Sequence, residues 1–236
     1  MPSTSNNLPM TSRFAYDAVL LDLDGTLMDT IPDLAQAANT MRQELGLSSL
    51  PQAQIATFVG KGAKHLVMRM LTVDADPASI SPELFERARE SYFRNLHRFN
   101  GDQAVMFDGV ISGLERMKDM GLRLAVVTNK ATEFTLPLLE RTGLAKYMQA
   151  VVCGDTLAHA KPHPAPMLHA CAQLKSTPAR SVAVGDSIND AQSARAAGCS
   201  ILAVPYGYNE GQSVQTLDVD AIVDSIEAAA HWVAAR

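Results

Sequence analysis

Ala18-Val19-Leu20-Leu21-Asp22-Leu23-Asp24-Gly25-Thr26 sets the fold class of this chain. Its first four residues are aliphatic and do not alternate with polar ones. That pattern fits a strand buried on both faces, as in a parallel sheet. The run ends in two carboxylates two residues apart, then glycine. Carboxylates this close repel, and burying them costs free energy unless something offsets their charge. A divalent cation does so, and magnesium takes its oxygen ligands from a few carboxylates, phosphate and water. A solvated strand-to-loop corner is the plain alternative.

Four more runs share this form. Residues 122–127 lead into Thr128-Asn129, and 150–152 into Cys153-Gly154-Asp155. Residues 181–184 lead into Gly185-Asp186, and 201–204 into Pro205-Tyr206-Gly207. Helical spacing covers 109–120, 133–142, 165–174 and 190–197, with glycine stops at Gly121, Gly143 and Gly198. Strands alternating with such helices imply right-handed βαβ units. The expected fold is therefore α/β, a doubly wound, mainly parallel, Rossmann-like sheet. From Ile31 to Asn100 the alternation stops. Segments 33–45, 62–71 and 82–99 read as helices, separated by Gly46, Pro51 and Pro77. The expected organisation is a flexible tail over 1–14, an α/β core from 15–30 and 101–236, and a helical cap inserted over 31–100. Such an insertion enters at the carboxyl end of the first strand, where open α/β sheets bind ligands, and suits a lid.

The bulk properties narrow the class. With 20 Lys plus Arg against 25 Asp plus Glu, the 236-residue chain carries −5. That gives no basic footprint for nucleic acid. At 47% hydrophobic and 19% charged residues, composition argues against disorder. No apolar run reaches membrane-spanning length. Cys153, Cys171 and Cys199 lack zinc or disulfide-framework spacing. The first dozen residues lack a signal-peptide pattern. A cytoplasmic location with reduced thiols is expected.

Further polar groups stand at the strand ends. Asp186 and Asp190 are four apart at a strand-to-helix junction, so both can face one ion. Ser187 or Asn189 as an ordinary N-cap would explain only one of these acids. Thr128 and Asn129 can meet phosphate oxygens, or simply cap a helix. Lys161, fixed beside Pro162, can supply a point charge to phosphate and to an aspartate; most lysines are merely solvated.

These residues together resemble the haloacid dehalogenase-like hydrolase superfamily. Asp22 to Thr30 is similar to its first motif, Thr128-Asn129-Lys130 to its second, Lys161-Pro162-His163-Pro164 to its third, and Gly185 to Asp190 to its fourth. The order is the family's, and the insert lies where a type-one cap belongs. Phe58 to Lys64 and Pro205 to Gly211 resemble loops of the phosphoglycolate phosphatase family within it. Asp108 and Ala165 depart from residues common in those relatives, at positions that carry no chemistry.

The resemblance implies hydrolysis of a phosphate monoester through an aspartyl-phosphate, with Asp22 as nucleophile. Asp24 would act as general acid and base, and would begin protonated. Mg2+ would be held by Asp22, Asp24 (through its carbonyl), Asp186 and Asp190. Thr128, Asn129 and Lys161 would bind the phosphoryl oxygens. Gly60, Lys61 and Gly62 would meet the leaving group, although these glycines can equally just start a helix. The implied partner is a small phosphorylated metabolite, with 2-phosphoglycolate foremost, and the chain a monomer or homodimer. Sugar-phosphate phosphatase or phosphosugar mutase activity on the same fold stays open, as does a catalytically silent phosphate-binding module. Asp24 argues against a dehalogenase. A phospho-accepting signalling domain would be near half this length and lack the insert.

Overall fold

The structure is a computed structural model, and it describes residues 14–236. The tail expected over 1–14 lies outside the described residues except for Phe14. The elements run β1 (Ala18–Leu21), β2 (Met28–Asp29), α1 (Ile31–Glu44), α2 (Gln52–Ala56), α3 (Ala63–Leu71), α4 (Pro82–Phe99), β3 (Val105–Met106) and α5 (Val110–Asp119). They continue with β4 (Arg123–Val127), α6 (Thr132–Thr142), β5 (Ala150–Val152), α7 (Ala165–Gln173), β6 (Ser181–Gly185), α8 (Ile188–Ala197), β7 (Ser200–Ala203), β8 (Ala221–Ile222) and α9 (Ile226–Ala234).

Six strands form one sheet in the order β5-β4-β1-β6-β7-β8, and every pairing in it is parallel. The aliphatic runs are buried on both sides because successive residues serve opposite layers. Val19 and Leu21 pack with Leu114 of α5, Leu138 of α6 and Ile226 of α9. Ala18 and Leu20 pack with Met167 of α7 and Ala194 of α8. This is the doubly wound α/β fold expected.

Helices α1 to α4 lie between β2 and β3 and share a cluster of their own, built on Met41, Ile55, Met70, Tyr92 and Leu96. Phe134 of α6 reaches into it. Arg42, fully buried there, donates to the carbonyls of Ser48 and Met70 and pairs with Asp74. The two chain crossings are held together as an antiparallel pair, Met28 against Met106 and Asp29 against Val105. Buried Asp33 adds three backbone bonds to the returning strand, accepting from Gly101, Gln103 and Ala104 at 2.7, 2.8 and 3.3 Å.

Five elements were not expected from sequence, among them α2, a helix of five residues after Pro51. β2, β3 and β8 are two residues each, too short for a periodic signal. α9 (IEAAAHWVA) packs against α5 and buries Ile226, Ala229, Ala230 and Val233 in the core cluster below the sheet, while Glu227 and His231 stay exposed. There a Cβ on Gly113 of α5 would come within 2.5 Å of the Ile226 carbonyl carbon. No described helix is long and apolar enough to cross a membrane.

Candidate active site

The chain leaves β1 toward β4 and β5 on one side, then returns to β6, β7 and β8 on the other. That reversal leaves a crevice at the carboxyl end of β1, where open parallel sheets bind ligands. Asp22 follows β1 and donates its N–H to the Val184 carbonyl at 3.0 Å, which sets it beside the end of β6. Asp186 follows β6, and Asp190 lies in the first turn of α8. The carboxylate oxygens of these three buried acids come within 4.8 Å of one another.

Lys161 enters this cluster from the loop before α7. Its ammonium donates to Asp22 Oδ1 at 2.7 Å, Asp190 Oδ1 at 2.6 Å and the Val127 carbonyl at 2.7 Å. Burial pushes its pKa down, but the charges of Asp190 and Asp22 outweigh that and hold it above the ordinary lysine range. Burial pushes the Asp22 carboxyl well above the usual range; Lys161 pulls it back in part, while Asp190 and Asp186 raise it. Burial, then the charge of Asp190, pushes Asp186 up to about 7. One ammonium cannot balance three buried carboxylates. The excess of two negative charges matches a divalent cation, and oxygen-only donors suit magnesium.

Glycines make room for this packing. Gly25 has φ +91°, and a Cβ there would fall 2.4 Å from Asp186 Oδ2. A Cβ on Gly207 would sit 2.3 Å from that oxygen, and one on Gly185 2.3 Å from Asp190 Cγ. The Asp186 carboxylate is fixed further by the Tyr208 N–H at 2.6 Å. Asp190 spends its other oxygen on Ser187, accepting from its N–H at 3.2 Å and its hydroxyl at 2.7 Å. Asp190 therefore braces Lys161 and caps α8 at the same time.

Asp24 faces a different set of neighbours. Its Oδ1 accepts from the Thr30 hydroxyl at 2.6 Å and from the Lys130 ammonium at 3.0 Å. Its side chain lies outside the three-acid group.

Asp22, Asp24, Thr128, Asn129, Lys161, Asp186, Gly60 and Gly62 all line one cleft between the helical layer and the sheet. Asn129 is committed to backbone. Its amide donates to the carbonyls of Gly60 and Lys161, each at 2.9 Å, and its oxygen accepts from the Lys161 N–H at 2.9 Å. It thus docks the Gly60–Gly62 loop on the third motif. The Lys61 ammonium lies elsewhere, 2.6 Å from Glu210 on the loop after β7. Lys130, Thr30 and Tyr208 were given no role of their own from sequence, and Asn189 only that of a candidate N-cap. Asn189 is 2% exposed and lines the cleft, yet its amide Nδ2 has no partner among the described residues. A buried donor left unpaired is costly, so a polar ligand fits there. Only Asn189's place within the fourth motif hinted at it. The fold also brings Cys171 and Cys199 to 4.0 Å between sulfurs, a proximity invisible in their spacing.

A family model described as haloacid dehalogenase-like hydrolase matches residues 19–204. The chain belongs to that family. This hydrolase is an enzyme of its phosphatase group. It is 48% identical over 218 residues to the phosphoglycolate phosphatase of Thiobacillus denitrificans, covering 92% of this chain and 95% of that one. It is 50% identical over 216 residues to the phosphoglycolate phosphatase of Nitrosospira multiformis, covering 92% and 95%. Among solved structures, it is similar to a predicted phosphoglycolate phosphatase from Haemophilus somnus, with TM-score 0.86 at 28% identity, covering 94% of this chain and 99% of that one.

Proposed function

We propose that this hydrolase cleaves small phosphate monoesters, 2-phosphoglycolate foremost, through an aspartyl-phosphate on Asp22. The observation that carries this reading is the pairing of Asp22 with Lys161 at the floor of the cleft, 2.7 Å apart and both buried. Among the described residues Asp22 Oδ2 has no hydrogen-bond partner, and it is the oxygen available to attack phosphorus. In the first step an Asp22–phosphorus bond forms and the bond to the leaving oxygen breaks. Asp24 gives that oxygen its proton. Asp24 then takes a proton from a water whose oxygen bonds to phosphorus as the Asp22–phosphorus bond breaks, which releases inorganic phosphate and restores both Asp22 and the protonated Asp24. Lys161 and Thr128 meet the phosphoryl oxygens, where positioning and electrostatics do most of the work. Asn189 adds a donor on the same wall.

Asp22 and Asp186, with the Asp24 carbonyl, would hold Mg2+, and Asp190 would act from behind. When bound, the ion neutralises charge so that a phosphate dianion can approach a carboxylate. Residues 15–30 and 101–236 serve as the catalytic core, with 31–100 as its lid, in a cytoplasmic protein. The names of the two close relatives support 2-phosphoglycolate as substrate. Gly60 and Gly62 bring backbone to the leaving-group side of the cleft. Lys61 could reach that side only by leaving Glu210.

The test is phosphate release from 2-phosphoglycolate, hexose phosphates and nucleoside monophosphates, each with magnesium and with EDTA. The expected result is a magnesium-dependent preference for 2-phosphoglycolate. Preference for hexose phosphates would remove the substrate assignment and keep the chemistry. Inactivity toward every ester would remove both.

A further inference from the structure

We propose that Tyr208 is a positioning residue for Asp24, acting through Thr30. This rests on the phosphatase reading above, in which Asp24 is the acid. Tyr208 belongs to the loop after β7, yet its hydroxyl reaches the start of α1. It accepts the Thr30 N–H at 2.9 Å and donates to Asp29 Oδ1 at 2.8 Å. Asp29 Oδ1 also accepts the Ile31 N–H at 3.1 Å. The first N–H groups of a helix have no partner within it, and here Thr30 is 1% exposed. The phenol is thus the acceptor that fixes the Thr30 backbone. The Thr30 side chain in turn donates to Asp24 Oδ1 at 2.6 Å.

Burial, then the charges of Asp29 and Asp24, pushes the Tyr208 phenol above its ordinary range, so it remains a donor to Asp29. Meanwhile the peptide N–H of Tyr208 holds Asp186 at 2.6 Å. One residue therefore holds the cation-binding acid directly through its backbone and, through its side chain, the Thr30 that bonds the acid–base carboxylate. Removing the hydroxyl alone separates the two.

Tyr208→Phe keeps the ring and its backbone bond. The experiment compares kcat/KM for an alkyl phosphate (2-phosphoglycolate or glycerol phosphate) with that for p-nitrophenyl phosphate, at saturating magnesium. kcat/KM reports steps only through phosphoryl transfer to Asp22, before water is activated. An alkoxide must be protonated as it leaves, whereas p-nitrophenolate departs as a stable anion. General acids contribute about 10²–10⁴-fold, so a displaced one loses part of this. The expected loss is about 10- to 100-fold on the alkyl ester and under about 3-fold on the aryl ester. Thr30→Val, which removes the hydroxyl that touches Asp24, should show the same selectivity. The double variant should be no worse than the more impaired single one, as for residues acting in one chain.

Equal losses on both esters, or no loss on either, would overturn the proposal. Should Tyr208→Phe fail to fold, a uniform loss in Thr30→Val still overturns the proposal, and Asp29→Ala, which removes the acceptor that orients the Tyr208 hydroxyl, must show the same ester selectivity to sustain it. If the unmodified protein releases phosphate from neither ester, the proposed function has failed, and that outcome is separate from these.

Discussion

Replacing Lys161 with methionine keeps a long unbranched side chain and removes one charge. In the folded protein that charge touches Asp22 and Asp190 at 2.7 and 2.6 Å and caps the Val127 carbonyl at 2.7 Å. Its loss leaves three buried acids with no cation among them. Removing one member of a buried ion pair typically costs about 3–5 kcal/mol. For a chain of this size each kcal/mol lowers the thermal midpoint by about 2–4 °C. The expected drop in EDTA is therefore roughly 6–20 °C. The measurement belongs at pH 8, above the value near 7 to which Asp186 is pushed while Lys161 is present; losing the lysine raises Asp186 and Asp22 further, and proton uptake there brings the drop toward the lower end of this range. Magnesium then supplies the missing positive charge and should raise the midpoint of the variant more than that of the unmodified protein. A variant in EDTA within about 2 °C of the unmodified protein, less than one kcal/mol on this scale, would refute Lys161 as the neutralising group.

Asp22→Asn removes the attacking oxygen together with a desolvated, repelled carboxylate. Turnover should fall about 10⁴-fold or more while the metal-free thermal midpoint holds; retained phosphate release would remove the nucleophile assignment. Gly113→Ala would force a methyl against the Ile226 backbone, 2.5 Å away. Urea unfolding should show a loss of about 1–3 kcal/mol, and a gain, as helix propensity alone would give, would show that α5 and α9 can move apart.

The four motifs were legible because each is a local pattern. An aliphatic run followed by Asp, Gly or Thr announces a buried strand and its carboxyl end wherever it lies. The convergence of Asp22 and Asp186 followed from strand ends sharing one edge, and Val184 accepting the Asp22 N–H is its physical form. The pairings that were missed share a different property. Tyr208 meets Thr30 across 178 positions, and Lys61 meets Glu210 across 149. Lys130 meets Asp24 across 106. No periodicity encodes such pairs. Lys130 stood within the second motif, yet its spacing gave no hint that its ammonium would reach the first.

By itself, then, the sequence determined the parallel sheet, the helical insertion and the acids at the strand ends. Those depend on residues within a few positions of one another. Only the tertiary structure decided what each polar side chain does there. Asp190 braces Lys161, Asn129 docks a loop, and Lys61 goes to Glu210 because burial forces every donor to find whichever acceptor the packed elements bring within reach.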